Sequence, residues 1–138
     1  MKNKIWIAVL LVIFVVSACS PKVTELTGAD REAILAFSEA KTDNLLAGLN
    51  AGDYAAFSAD FDADMLAAIG ETQFEALKTE RATKVGSYLS RSVDTVFQQG
   101  EFYVVVYKAS FEKADSVTVR VVFRAAEPHQ VSGLWFNP

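Results

Sequence analysis

Phe102–Arg124 reads FYVVVYKASFEKADSVTVRVVFR, and this stretch decides the fold. Two runs rich in β-branched and aromatic residues flank a break at Lys113-Ala114, the pattern of antiparallel strands joined by a tight turn. A turn at that dipeptide puts Phe102, Val104 and Val106 on one face with Val117, Val119, Val121 and Phe123. Working outward, Gln99-Gly100 marks a second turn after an alternating run that starts near Ser87. Ala126–His129, around Pro128, marks a third before Val131–Phe136. The expectation is a meander of four strands, with Leu134 and Phe136 extending the same apolar face. Such a face needs a cover.

The cover lies upstream, where the period becomes helical. Asp30 offers an N-cap, and Ile34, Leu35, Phe37, Leu45, Leu46 and Leu49 recur at helical spacing until Asn50 and Gly52 stop the pattern, which predicts a helix over about 30–49. Asp53 caps a short helical segment through Ser58, and Asp64 another through Ile69, which Gly70 ends. Thr72-Gln73-Phe74-Glu75 has the form of a capping box, with Phe74, Leu77, Ala82 and Val85 carrying a further helix to Gly86. The predicted class is α+β, N-terminal helices packed on a four-stranded antiparallel sheet over residues 30–138.

Ser20–Ala29 has no apolar period and holds Pro21 and Gly28, so it reads as a tether. Before it, Met1–Lys4 is basic and Ile5–Val16 is an unbroken run of twelve apolar residues, the architecture of a secretory signal over 1–18. The run is short for a spanning helix, which needs about 20 apolar residues. Val16-Ser17-Ala18 before Cys19 resembles the bacterial lipobox, which implies lipid attachment at Cys19 and, from Ser20, sorting to an outer membrane where there is one. Cys19 is the only cysteine, so an internal disulfide is excluded and lipidation gives the thiol a use. The alternative is conventional cleavage after Ala18, leaving a free thiol. The expected location is exported, lipid-anchored to the bacterial cell envelope and facing the extracytoplasmic side.

Without the leader the chain holds eleven bases against seventeen acids, a net of −6 in place of −4, which argues against nucleic acid as a partner. Residues 30–80 hold eleven acids and three bases, while 81–138 hold five acids and seven bases, so the helical layer is acidic and the sheet mildly basic.

The segment Leu49-Asn50-Ala51-Gly52-Asp53-Tyr54 after a long helix, a second helical stretch closing at Gly86, and the closing Val131-Ser132-Gly133-Leu134-Trp135-Phe136 together resemble the nuclear transport factor 2-like superfamily, in an uncharacterised bacterial branch. The resemblance covers about residues 30–137. It implies a curved sheet in a cone-shaped α+β roll, a fold used by dehydratases, isomerases, immunity proteins and non-catalytic binding domains alike. Enzymatic members place an Asp–His pair or a Tyr–Asp constellation inside the cone. The single histidine, His129, falls in a predicted hairpin loop, so no dyad carries over.

Three constellations invite chemistry. Asp60, Asp62, Asp64 and Glu71 imitate the carboxylate spacing of a calcium loop, but Met65 stands where its glycine belongs, so a solvated acidic turn is the reading and no metal or other cofactor is expected. On the first helix Ser38, Lys41 and Thr42 interrupt the apolar face, and a turn at Gln99-Gly100 sets Arg91 opposite Lys108 with Ser110 beside them. Ser38, Lys41, Arg91, Lys108 and Ser110 are the candidate lining of a basic cavity for a small anionic ligand or peptide end; the alternative is side chains snorkelling out at the sheet rim. On the other face the same register lines up Tyr103 and Tyr107 with Arg120 and Arg124, Trp135 beside Arg120, as a candidate interface for a homodimer or another partner, or a face covered by tether or helices if the faces are inverted. No catalytic residue is identified. The functional expectation is an envelope-anchored lipoprotein with a non-catalytic ligand- or partner-binding domain; alternatives are a lyase or isomerase using a carboxylate in the cone, and an interaction protein docking through the outer sheet face.

Overall fold

The computed structural model describes residues 20–138, so the leader and Cys19 lie outside the described residues. The chain runs β1 (Val23–Glu25), α1 (Gly28–Ala51), α2 (Tyr54–Ser58), α3 (Ala63–Ala68), α4 (Glu71–Lys84), β2 (Tyr88–Gln99), β3 (Phe102–Phe111), β4 (Ala114–Arg124) and β5 (Val131–Asn137). Its class is α+β: helices pack against one antiparallel sheet, ordered β1-β2-β3-β4-β5 and not closed. Among the described residues no helix is long and apolar enough to cross a membrane.

The sheet has five strands, not four. Val23, Thr24 and Glu25, inside the segment read as a tether, pair with Gln99, Gln98 and Phe97 along the free side of β2. All three are exposed, so backbone hydrogen bonding rather than apolar burial holds them, and hydrophobic period carries no trace of such a strand.

Helix boundaries follow local chemistry. Gly52 ends α1 in the left-handed region at φ 68°, and Asp53 caps α2 by accepting from the Ala56 N–H at 3.1 Å. The cap of α3 is Asp62, accepting from Met65 N–H at 2.9 Å, not Asp64. Helix α4 starts at Glu71 after Gly70 with no side-chain cap, so Thr72 is already helical and the capping box is not formed.

A one-residue change in register reverses one strand. The β3–β4 hairpin turns at Glu112-Lys113, with Phe111 opposite Ala114, and an irregularity then brings Ala109 opposite Val117. Tyr103, Val105, Tyr107 and Ala109 therefore share the inner face with Val117, Val119, Val121 and Phe123. Phe102, Val104, Val106 and Lys108 face outward with Arg120, Val122 and Arg124. The β2–β3 turn likewise lies at Gly100-Glu101, which sets Arg91 opposite Ala109 and Lys108 opposite Ser92.

The core lies between this inner face and the helices: Ile34, Leu45, Leu46 and Leu49 of α1 meet Val105, Tyr107, Val119, Val121 and Phe123. Phe57 carries the corner, with Phe61 and Phe74 rings 5.0 and 4.8 Å from its own. Gly48 makes that corner possible, because a Cβ there would overlap the Phe57 backbone nitrogen and lie 2.8 Å from its Cα. Glycine inside a helix costs about 1 kcal/mol against alanine. Gly48→Ala is nevertheless expected to lose about 1–2 kcal/mol, because overpacking against rigid backbone outweighs the propensity gain. Urea denaturation checks it, and a stabilised variant contradicts the contact.

Candidate functional site

The anion-binding set predicted from sequence does not converge. Lys41 Nζ meets Asp60 at 2.8 Å, with both side chains largely buried. Arg91 lies under α1, held by Asp43 at 2.5 Å, Glu39 at 3.2 Å and Tyr88 Oη at 3.1 Å. Burial works against the Arg91 cation, but the bonds to Asp43 and Tyr88 and the Glu39 charge outweigh it and raise its pKa. Ser38 is fully buried with its Oγ unpartnered. Lys108 is exposed on the outer face, bonded to Thr118 at 3.1 Å, and Ser110 donates to the Asp115 carbonyl. The register explains the separation: Arg91 faces inward and Lys108 outward.

Tyr103 and Tyr107 also leave the expected outer face. Tyr107 is fully buried, its ring 5.0 Å from the Arg91 guanidinium and its hydroxyl 3.1 Å from Thr42 Oγ1 and 2.8 Å from Glu39 Oε1. Burial, with the Glu39 charge, pushes its pKa up. Tyr103 packs near Phe37, which stacks on His129 at 4.0 Å. Arg120, Arg124 and Trp135 do share the outer side.

One residue passed over in the sequence stands out. Arg81 occupies the position between Leu77 and Val85 on the buried stripe of α4 and is only 7% exposed. Its guanidinium sits in the corner formed by the edge-to-face pair Phe111 and Phe136, 4.4 and 4.3 Å from their centroids. It has no ion pair, and its Nε no hydrogen-bond partner, among the described residues. Burial alone lowers its pKa to about 10. It remains a cation at neutral pH, and two aromatic faces offset only part of the cost of desolvating it. Arg81 lines a cavity of about 260 Å³ whose other walls include Leu77, Val117, Leu134 and Phe136. Lys84 and Glu80 at the same cavity pair with each other and leave Arg81 uncompensated. The signal was legible: Phe74, Leu77, Arg81 and Val85 follow the helical repeat, and an arginine stands where a leucine is expected.

The chain matches, over residues 42–134, the family described as "Protein of unknown function (DUF3887)". It belongs to that family. The DUF3887 span covers the C-terminal part of α1 from Thr42, all of α2–α4, and β2–β4 with β5 through Leu134, and so contains Arg81 and Phe111 but stops before Trp135 and Phe136. No curated protein and no solved structure matches the chain.

Within the DUF3887 span the acidic turn has its own occupation. Asp60 holds Lys41, while Asp62 and Asp64 hold Arg124 at 2.6 and 3.1 Å. Among the described residues no cluster of three or more His, Cys, Asp or Glu could hold a metal. Burial favours the neutral form of Asp62, but hydrogen bonds from Met65, Ser132 and Arg124 and the Arg124 charge win and lower its pKa. A lowered pKa stabilises the fold fully above the ordinary value of 3.8, and the stabilisation is lost as pH falls through the folded-state value. Asp62→Asn is expected to cost about 2 kcal/mol at pH 7, and its deficit to shrink below about pH 4. A deficit independent of pH would contradict the charge-based account.

Proposed function

We propose that this chain is a bacterial envelope lipoprotein anchored at Cys19, whose domain is a nuclear transport factor 2-like roll that binds a small carboxylate without catalysing a reaction on it. The order of helices before an antiparallel meander, together with the segments around Asp53 and Gly133, supports the roll. The lipobox-like Val16-Ser17-Ala18-Cys19 supports the anchor.

The observation that carries the binding reading is Arg81, a buried guanidinium without a counter-ion among the described residues, at a cavity walled mainly by apolar side chains with the Lys84–Glu80 pair on the same helix. A single fork of donors suits one carboxylate, which it engages through two parallel bonds. A doubly charged phosphate would need a second free cation, and Lys84 at the same cavity is already paired with Glu80. The lyase or isomerase reading has Tyr107 and Glu39 as its tyrosine–carboxylate pair. That hydroxyl is shared with Thr42, and the carboxylate is engaged by Arg91, so neither is free to move a proton to a ligand.

The probes are hexanoate, hexan-1-ol of the same length and inorganic phosphate, read as thermal midpoint by circular dichroism on the full chain in phospholipid nanodiscs. Hexanoate is expected to raise the midpoint by about 5 °C at about tenfold its dissociation constant, and the other two to leave it unchanged. Arg81→Met is expected to abolish the response while its own midpoint stays level or rises, since an apolar side chain replaces an unpaired buried charge. Equal response to hexan-1-ol, or a response surviving in Arg81→Met, overturns the assignment. For the anchor, Cys19→Ala is expected to eliminate incorporation of labelled palmitate, and a labelled variant refutes lipidation at this residue.

A further inference from the structure

The outer face of the sheet is the other surface whose chemistry is unspent. Val104 and Val122 are buried there yet stand apart from the main core. With Phe102, Arg120 and Trp135 they line a groove of about 430 Å³. Trp135 lies over Gly133, where a Cβ would overlap its ring, and is 55% exposed. Val23, 57% exposed, stands on the same face opposite Gln99. Arg120 reaches between aromatic rings, 5.6 Å from Phe97 and 5.5 Å from Trp135, without a carboxylate partner among the described residues and with its Nε unpartnered.

The start of the described chain says what meets this face. Pro21 lines the groove itself, beside Gly100 and Glu101. Cys19 is two residues earlier, a reach of about 7 Å at full extension. An acyl anchor there brings the groove to the bilayer surface. Charge agrees with that orientation, because the eleven acids of residues 30–80 belong mainly to the helical layer on the opposite side of the sheet. Glu25 and Glu101 sit at the β1 edge and the β2–β3 turn, and Arg120 and Lys108, which have no carboxylate partner among the described residues, offset them on this face. Half-exposed tryptophan, valine and an arginine with free donors suit the headgroup level, where apolar bodies meet acyl chains and cations meet phosphate.

We propose that the outer sheet face lies against the phospholipid surface, with Trp135 at headgroup level and Arg120 paired to a lipid phosphate. The proposal rests on the anchor at Cys19 and is independent of the Arg81 cavity.

The full chain carrying Trp6→Phe, so that Trp135 is its only tryptophan, is produced with its envelope processing intact. It is reconstituted into vesicles of phosphatidylcholine and phosphatidylglycerol, with phosphatidylcholine brominated at the 6,7 positions as quencher. Flotation reads the anchor, and Trp135 emission in the floated fraction reads the docking. The expected result is strong bromolipid quenching with protection from iodide. Arg120→Glu is expected to float as before but lose at least about half of the quenching, and Arg120→Lys to retain it, since a lysine still meets a phosphate as a point charge. Floated chain with Trp135 open to iodide and untouched by bromolipid overturns the proposal. Protection from iodide without bromolipid quenching, the mark of a second copy or a protein partner on the face, also overturns it. A chain that fails to float overturns the anchor and this orientation together.

Discussion

The register of the β3–β4 hairpin is the constraint on which the rest of the molecule depends. A two-residue turn at Glu112-Lys113 and one irregularity before Ala109 decide that Tyr107 points at α1 and Lys108 away from it. Shifting that pairing by one residue would exchange Tyr103, Val105 and Tyr107 for Phe102, Val104 and Val106 beneath the helices. The cost would lie less in hydrophobicity, since both sets are apolar, than in hydrogen bonding. Glu39, Thr42 and Arg91 have their geometry only around the Tyr107 hydroxyl and ring.

That polar knot explains how a helix with a mixed face can serve as the lid of a core. Ser38 and Thr42 are wholly buried on α1, in the stripe that also carries Ile34, Leu45 and Leu49. Burying polar groups costs unless they are bonded, and Thr42 is bonded to Tyr107 while the Arg91 cation is matched by Glu39 and Asp43. The helix is thereby fixed in rotation and in position along its axis. An apolar lid of the same length could slide, since hydrophobic burial has no direction.

The two-sided character of β3 also shows how far sequence reading reaches here. The helices, the four-strand meander and the turn positions to within a residue were legible, because period and breaker residues mark them. The faces of β3 were not, since alternation identifies a buried side only when the other side is polar, and Phe102–Tyr107 is apolar throughout. Strand β1 was illegible because it buries nothing. Asp62 and Asp64 are equivalent caps in the sequence; tertiary contacts to Arg124 and the backbone bond from Asp62 to Val131 favour the first. The predicted basic cavity failed for the same reason as the faces, whereas Arg81 was available to a stricter reading of the α4 stripe.

The arginines separate into two kinds, and the separation is itself an argument about function. Of five in the chain, Arg31, Arg91 and Arg124 have carboxylates within 3.2 Å, while Arg81 and Arg120 each lie against two aromatic rings and have no acid partner among the described residues. Scarcity of acids does not explain this, because carboxylates outnumber bases seventeen to thirteen. A guanidinium needed only to fill space could be a methionine or leucine without desolvation cost. One needed only for an ion pair would have taken one of the surplus acids. Aromatic flanks hold the planar fork in place and leave its donors free, which is the condition for recognising an anion supplied from outside the chain. The two sites differ in setting: Arg81 is buried beside a cavity of about 260 Å³, whereas Arg120 lies on an open face in a groove that Pro21 also lines.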